Sequence, residues 1–265
     1  MIELNICNVY RYSILLVARI VEYHKNIMYK EFNIPLNHKN QNNEDKNIIL
    51  KIYNLLLEQY GPQGWWPVKG KYFPDEKNRD EENRYEIIVG AILTQNTAWK
   101  NVEKALSNLR EKGLIDPDRI MKIDTNKLAE LIRPSGYYNQ KALRLKEVTE
   151  NLLFYIKTGK IPKREELLII RGIGPETADS ILLYAFHYPI FVVDAYTRRL
   201  LIRIGLCKFS CSYDDAQNLF MSNLPRDEKL FNEYHALIVK HGKDLCKKNP
   251  LCSKCILKKK NICPK

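Results

Sequence analysis

Residues 168–200 read LIIRGIGPETADSILLYAFHYPIFVVDAYTRRL. Two apolar, helix-forming runs flank a Gly-Ile-Gly turn, and Asp194 follows 20 positions after the second glycine. Gly172 and Gly174 carry no Cβ, so both can take positive φ and bring their amides close to another surface. Pro175 suits the first position of a helix, where a missing N–H costs nothing. Bare amides at a helix start make a natural phosphate site. The Phe191-Val192-Val193 run then delivers one carboxylate, Asp194, to a fixed place one helix away. A phosphate grip with a held carboxylate points to chemistry on nucleic acid.

Composition agrees with that direction. The chain has 265 residues, enough for one large domain or two small ones. Its 43 Lys+Arg against 31 Asp+Glu give a formal charge of +12 and favour a polyanionic partner. A lysine-rich soluble protein from a hot environment has the same balance. No stretch is apolar for the roughly 18 residues that span a bilayer. The Ser13–Val21 segment is short, is interrupted by Arg19 and has no small-residue cleavage site after it. It does not read as a signal peptide, so an intracellular, cytoplasmic protein is expected.

Residues 1–46 read as a separable N-terminal extension ending in the polar run Asn37–Lys46, a solvated linker. Helical spacing begins with Ile48, Ile49, Ile52 and Leu55–Leu57 and stops at Tyr60-Gly61-Pro62. Trp65-Trp66-Pro67 and a charged loop to Glu82 follow. Further helices are expected over Tyr85–Leu93, Val102–Leu109, Thr125–Ile132 (capped by Asp124), Lys141–Ile156, around Arg198-Arg199, and over Leu230–Val239. Strand-like alternation is almost absent, and the predicted fold class is all-α.

Seven cysteines in such a chain argue for metal rather than disulfides. Cys246, Cys252, Cys255 and Cys263 form a C-x5-C-x2-C-x7-C pattern, while Cys7, Cys207 and Cys211 are scattered and expected as ordinary thiols. Four thiolates suit tetrahedral zinc or a [4Fe-4S] cluster, and spacing by itself favours zinc. From His241 onward, eight lysines face one acid, which gives a basic loop suited to phosphates; Lys258, Lys259 and Lys260 stand at its centre.

The glycine turn, Asp194 and the C-terminal cysteines together resemble the endonuclease III superfamily of helix-hairpin-helix DNA glycosylases, over roughly 48–265. The resemblance implies two helical lobes around a DNA-facing cleft. One would be the continuous stretch 84–188; the other would join 47–83 to 189–265. It also implies a [4Fe-4S] cluster at the cysteines in place of zinc, although the family's usual spacing is C-x6-C-x2-C-x5-C. The implied partner is double-stranded DNA with a flipped damaged base, with no membrane, and the implied state is a monomer.

The resemblance makes Asp194 the catalytic carboxylate. A carboxylate there stabilises the positive charge that builds on the sugar and helps water attack; an N-cap role before Ala195 is compatible with it. Where the family has a nucleophilic lysine, in GVGRKTA, this chain has Glu176, in GIGPETA. A glutamate cannot form the Schiff base that enables strand cleavage, so hydrolysis without a lyase step is implied. Glu176 is a pocket acid or a solvated helix residue. Lys141 is one amine that would have to substitute for the missing lysine.

Gln95, in AILTQNT, and Tyr137, in SGYYNQKA, match the family's gap-filling and wedge positions. Alternatively Gln95 caps its helix and Tyr137 packs in a loop. Trp65-Trp66-Pro67 resembles an element of 3-methyladenine DNA glycosylase III, where it contributes to the base pocket. A π-rich wall favours a cationic alkylated purine by about 1–2 kcal/mol; otherwise both tryptophans are core. The reading is therefore a glycosylase for damaged, alkylated bases. Its alternatives are an endonuclease III-like glycosylase and lyase for oxidised pyrimidines, and a non-catalytic DNA-binding iron–sulfur protein.

Overall fold

A computed structural model describes residues 42–69 and 80–264, with the backbone alone for 42–47. The N-terminal extension up to residue 41, with Cys7 and the Ser13–Val21 segment, lies outside the described residues, as do 70–79 and Lys265. Among the described residues every regular element is helical, as expected for an all-α chain. None of these helices is long and apolar enough to cross a membrane.

Helix α1 spans Asn42–Tyr60 and so begins inside the polar run read as linker. Polar residues carry a helix's first turn as readily as a linker, and Asn47 leads straight into the apolar face. Helix α2, Glu81–Leu93, starts where Asp80 accepts from the Asn83 N–H at 2.7 Å. Every residue from Tyr85 to Leu93 is buried, which makes α2 the central helix of the fold. Helices α3 (Trp99–Glu111), α4 (Pro117–Lys122), α5 (Thr125–Leu131) and α6 (Tyr138–Thr158) follow. The Asp124 side chain accepts from the N–H groups of Asn126 and Lys127, the cap expected of it. Helix α6 packs on α2, α4 and α5.

The hairpin consists of α7 (Arg164–Leu168) and α8 (Pro175–Ser180), which runs on into a π-helical turn, Ile181–Ala185. Helices α9 (Ala195–Ile204), α10 (Tyr213–Asn223), α11 (Glu228–Asp244) and α12 (Ile256–Lys259) complete the chain. Helix α1 returns across this C-terminal set and packs on α10, α11 and α12.

Three helices, α4, α10 and the short α12, are not expected from the sequence, although α4 and α10 each have a local signal. Helix α4 has Asp116 as its cap and Pro117 at its first position. Helix α10 has a capping box, with Ser212 and Asp215 satisfying each other's backbone N–H groups. Cys207 and Cys211 also depart from expectation: they are bonded to one another. Their Cα atoms lie 5.8 Å apart, within bridging reach.

Candidate active site

Gly172 takes φ +82°, as the turn was expected to require. A Cβ there would run into the Arg144 guanidinium, so a side chain would have to displace it as well as strain the backbone. Gly174 differs: its φ is −94° and ψ 176°, extended backbone open to any residue. It is the N-cap of α8, with Pro175 at the first helical position as read from the sequence.

The chain turns at His187, φ +55°, and the run Ile190–Val193 that leads to Asp194 is buried. Phe191 anchors it, stacked on Phe220 at 3.7 Å and edge-on to Phe231 at 5.6 Å and Tyr234 at 5.8 Å. This packing fixes Asp194 at the start of α9. Its Oδ1 accepts from the Thr197 N–H at 2.7 Å and the Thr197 hydroxyl at 2.9 Å, so the expected cap is present.

Two groups that the sequence did not assign, His235 and Tyr184, stand beside Asp194 with Glu176. His235 of α11 brings Nε2 to 3.7 Å from Asp194 Oδ2. Tyr184, on the π-helical turn, meets the His235 Nδ1 with its hydroxyl at 2.5 Å. Glu176 keeps solvent contact, yet its carboxyl is pushed up, first by desolvation and then by the Asp194 charge. For Asp194, desolvation is the largest influence and pushes upward, but His235 and Thr197 outweigh it and hold the carboxyl below its usual range. The two acids are thus driven apart, as separate proton roles require. Lys243, further along α11, has its amine lowered by desolvation, against a raising influence from Asp194.

Trp65 and Trp66 form a three-ring cluster with Trp99: centroids lie 5.1 Å apart for Trp65–Trp66, 4.9 Å for Trp65–Trp99 and 5.3 Å for Trp66–Trp99. Trp66 is buried beside Pro67 and reaches Tyr184 at 5.2 Å. Gly90 makes room for it, since a Cβ there would stand 3.0 Å from the Trp66 ring. The cluster is therefore linked through Tyr184 and His235 to Asp194. Trp65 is half-buried and is the most accessible of the pair.

The two insertion candidates occupy neighbouring loops. Gln95 donates to the Gly172 carbonyl at 3.1 Å and the Thr177 hydroxyl at 3.0 Å, and accepts from Arg144. It is tied to the hairpin, beyond the helix-cap role that was its alternative. Tyr137 has φ +46° and is 71% exposed, an unfavourable place for an aromatic ring. Lys141 is buried and its amine donates to Leu93 O at 2.8 Å, Thr97 Oγ1 at 2.8 Å and Ser135 O at 2.7 Å. All three donors are spent. Desolvation, then Arg144, lower its pKa to about 8. It joins the Gln95 loop to the Tyr137 loop and is not an available nucleophile.

Cys246, Cys252, Cys255 and Cys263 line one cavity of about 240 Å³, with Arg203 and Lys258. Among the described residues, no three His, Cys, Asp or Glu side chains are grouped to hold a metal ion. The four thiols surround a common space instead of converging on a point. Arg203 Nη1 donates to Cys246 Sγ at 3.1 Å. Burial raises the Cys255 thiol pKa, against lowering by the backbone N–H groups of Lys258 and Leu257. Lys258 also donates to the Pro264 carbonyl at 3.0 Å, while Lys259 and Lys260 are exposed.

Residues 89–226 match the family described as HhH-GPD superfamily base excision DNA repair proteins. This chain belongs to that superfamily. A Methanocaldococcus jannaschii protein whose name places it among DNA repair glycosylases is 48% identical over 220 residues, 80% of this chain and 94% of its own length. Endonuclease III of Sulfolobus acidocaldarius is 36% identical over 181 residues, 66% of this chain and 80% of that one. Among solved structures, Helicobacter pylori 3-methyladenine DNA glycosylase bound to 1,N6-ethenoadenine aligns with a TM-score of 0.61 at 30% identity, covering 75% of this chain and 97% of that chain. As an HhH-GPD member, the protein is an endonuclease III-like base excision repair glycosylase with the two-lobed helical fold of that superfamily.

Proposed function

We propose that this glycosylase hydrolyses the N-glycosidic bond of alkylated, cationic purines in duplex DNA and leaves an abasic site uncut. The observation that carries the reading is the tryptophan cluster linked through Tyr184 and His235 to Asp194. A cationic base gains attraction against such rings and is already a good leaving group. Asp194, held ionised, stabilises the cationic sugar and orients the attacking water. Glu176 in place of the lyase lysine, and Lys141 with every donor spent, support hydrolysis over strand cleavage. The likeness to a 3-methyladenine glycosylase carrying ethenoadenine supports a purine substrate.

In this reading the hairpin glycines Gly172 and Gly174 take phosphates, with Lys259 and Lys260 adding charge further along. Gln95 and Tyr137 enter the duplex where the base leaves. Residues 84–188 form one lobe and 47–83 with 189–265 the other; the packing of α1 on the C-terminal helices supports that division. The protein acts as a monomer on DNA.

Cys246, Cys252, Cys255 and Cys263 would hold a [4Fe-4S] cluster. A cavity of about 240 Å³ suits a multi-atom group better than one zinc with thiolates at roughly 2.3 Å. N–H donors on Cys246 and Cys255 suit thiolate ligands. When bound, such a group stiffens the C-terminal loop and presents its lysines.

One observation favours a second reading. Lys243 has a lowered amine pKa and lies within electrostatic reach of Asp194, so it is the amine for any lyase step. Borohydride added during reaction with damaged duplex separates the two. Hydrolysis predicts no trapped protein–DNA adduct; an adduct lost in Lys243→Gln establishes the lyase reading.

A further inference from the structure

Asp194 is gripped from two sides. Thr197 donates twice to Oδ1, and His235 approaches Oδ2. The second grip begins deep in the protein. Tyr184 is fully buried, and burial holds its hydroxyl well above the usual tyrosine range, so it stays neutral and can donate. A hydroxyl donating to Nδ1 leaves the neutral imidazole with its proton on Nε2. That nitrogen is buried and has no hydrogen-bond partner within ordinary reach. Such a group is costly unless something uses it. What it faces is Asp194, at 3.7 Å.

We infer that Tyr184 and His235 are positioning residues for Asp194: hydroxyl, imidazole and carboxylate form a buried chain that keeps the carboxylate ionised and aimed. This inference rests on the reading of Asp194 as the group that assists water attack. The choice of imidazole has a chemical reason. A permanent cation paired with Asp194 would cancel the negative charge that the developing sugar cation needs. An imidazole Nε2–H aimed at Oδ2 orients the carboxylate without the fixed countercharge of a guanidinium or ammonium.

Other charged groups surround the chain. Glu176 approaches from α8 and is itself influenced by both Asp194 and His235. Lys243, two turns beyond His235 on α11, is itself influenced by Asp194. Glu233 acts on Tyr184, and its carboxylate accepts from the backbone of Gln63 at 2.6 Å and Gly64 at 3.3 Å. Of these, His235 alone contacts Oδ2.

The test is a carboxyl NMR titration of the full chain labelled with 13C-aspartate, with the Asp194 resonance identified by its loss in Asp194→Asn. Expected is a titration below that of free aspartate, moved up by about one pH unit or more in His235→Ala and less in Tyr184→Phe. His235→Gln, which keeps an N–H donor, restores most of the shift. The acid limb of single-turnover base release from methylated duplex should move to higher pH in parallel. An unchanged Asp194 titration in both His235→Ala and Tyr184→Phe overturns the inference. If His235→Ala does not fold, Tyr184→Phe and His235→Gln carry the same comparison. Should Asp194→Asn release base at the native rate, the catalytic reading fails, while the titration still decides this one.

Discussion

The side-chain amide of Gln95 donates to the backbone carbonyl of Gly172 at 3.1 Å, so the residue placed to enter the duplex is tied to the turn placed to grip its phosphates. The second bond, to Thr177, and the contact from Arg144 reinforce this. Entry into the base stack must exchange these bonds for contacts with DNA. Gln95→Ala should therefore slow base release from fully paired duplex about tenfold, because the vacated stack goes unfilled. On a substrate with no base opposite the lesion, the defect should shrink to about twofold. An equal defect on both substrates would show that Gln95 serves the hairpin alone.

Lys141 registers the two insertion loops through three hydrogen bonds. Lys141→Met keeps the stem but removes all three bonds, and only Ser135 O keeps another donor, the Thr97 hydroxyl, a loss on the order of 3 kcal/mol. Urea unfolding should show it as a lower midpoint. Base release should fall as well, since Tyr137 loses its fixed place relative to Gln95. Full activity with lowered stability would separate Lys141 from the insertion step.

Glu176 gives a pH prediction whose sign can be worked out. Its carboxyl pKa is raised in the folded protein, by desolvation and then by Asp194. Well below the ordinary glutamate range it is protonated both folded and unfolded, and adds nothing. As pH rises through the unfolded value toward the folded one, the native state loses stability, and that loss is complete above the folded value. Glu176→Gln should therefore melt higher than the native protein near neutrality and equally in acid. A melting difference that grows toward acid would reverse the sign and refute the assignment.

The hairpin, the Asp194 cap and most helices were legible in sequence because their signals are local. Gly172 before Pro175, Asp124 before Thr125 and the apolar spacing of Ile48–Leu57 each act within a turn of chain. The Asp116-Pro117 and Ser212–Asp215 signals are as local and mark the starts of α4 and α10. His235, Tyr184 and Trp99 were different. Each sits in a helical or apolar run and looks like core, and only packing between distant segments brings them to Asp194 or Trp66. Lys243 was counted among the basic residues of the C-terminus, where nothing in sequence sets it apart. Cys207 and Cys211 stand four positions apart, and nothing in that spacing marks them as bonded.

The tryptophan cluster makes a prediction about selectivity. Trp65 is its more accessible member beside the buried Trp66. Trp65→Leu should remove about 1 kcal/mol of preference for a cationic methylated purine, roughly a fivefold loss of discrimination. Release of a neutral damaged purine should change less. Equal losses on both bases would place the cluster in packing alone.

The cysteine cavity is tested by colour. The protein purified without oxygen should absorb in the visible, and an iron chelator under oxidising conditions should bleach it and weaken DNA binding. A colourless, fully active protein containing zinc would contradict the cluster assignment.

The central claim is hydrolytic release of an alkylated base through Asp194. The most direct measurement incubates the protein with methylated duplex, quantifies free base, and scores strand breaks before and after alkali, with Asp194→Asn alongside. The account predicts released methylated purine, breaks only after alkali, and loss of release by at least about a hundredfold in the variant. No released base, together with breaks before alkali on duplex carrying oxidised pyrimidines, would contradict it.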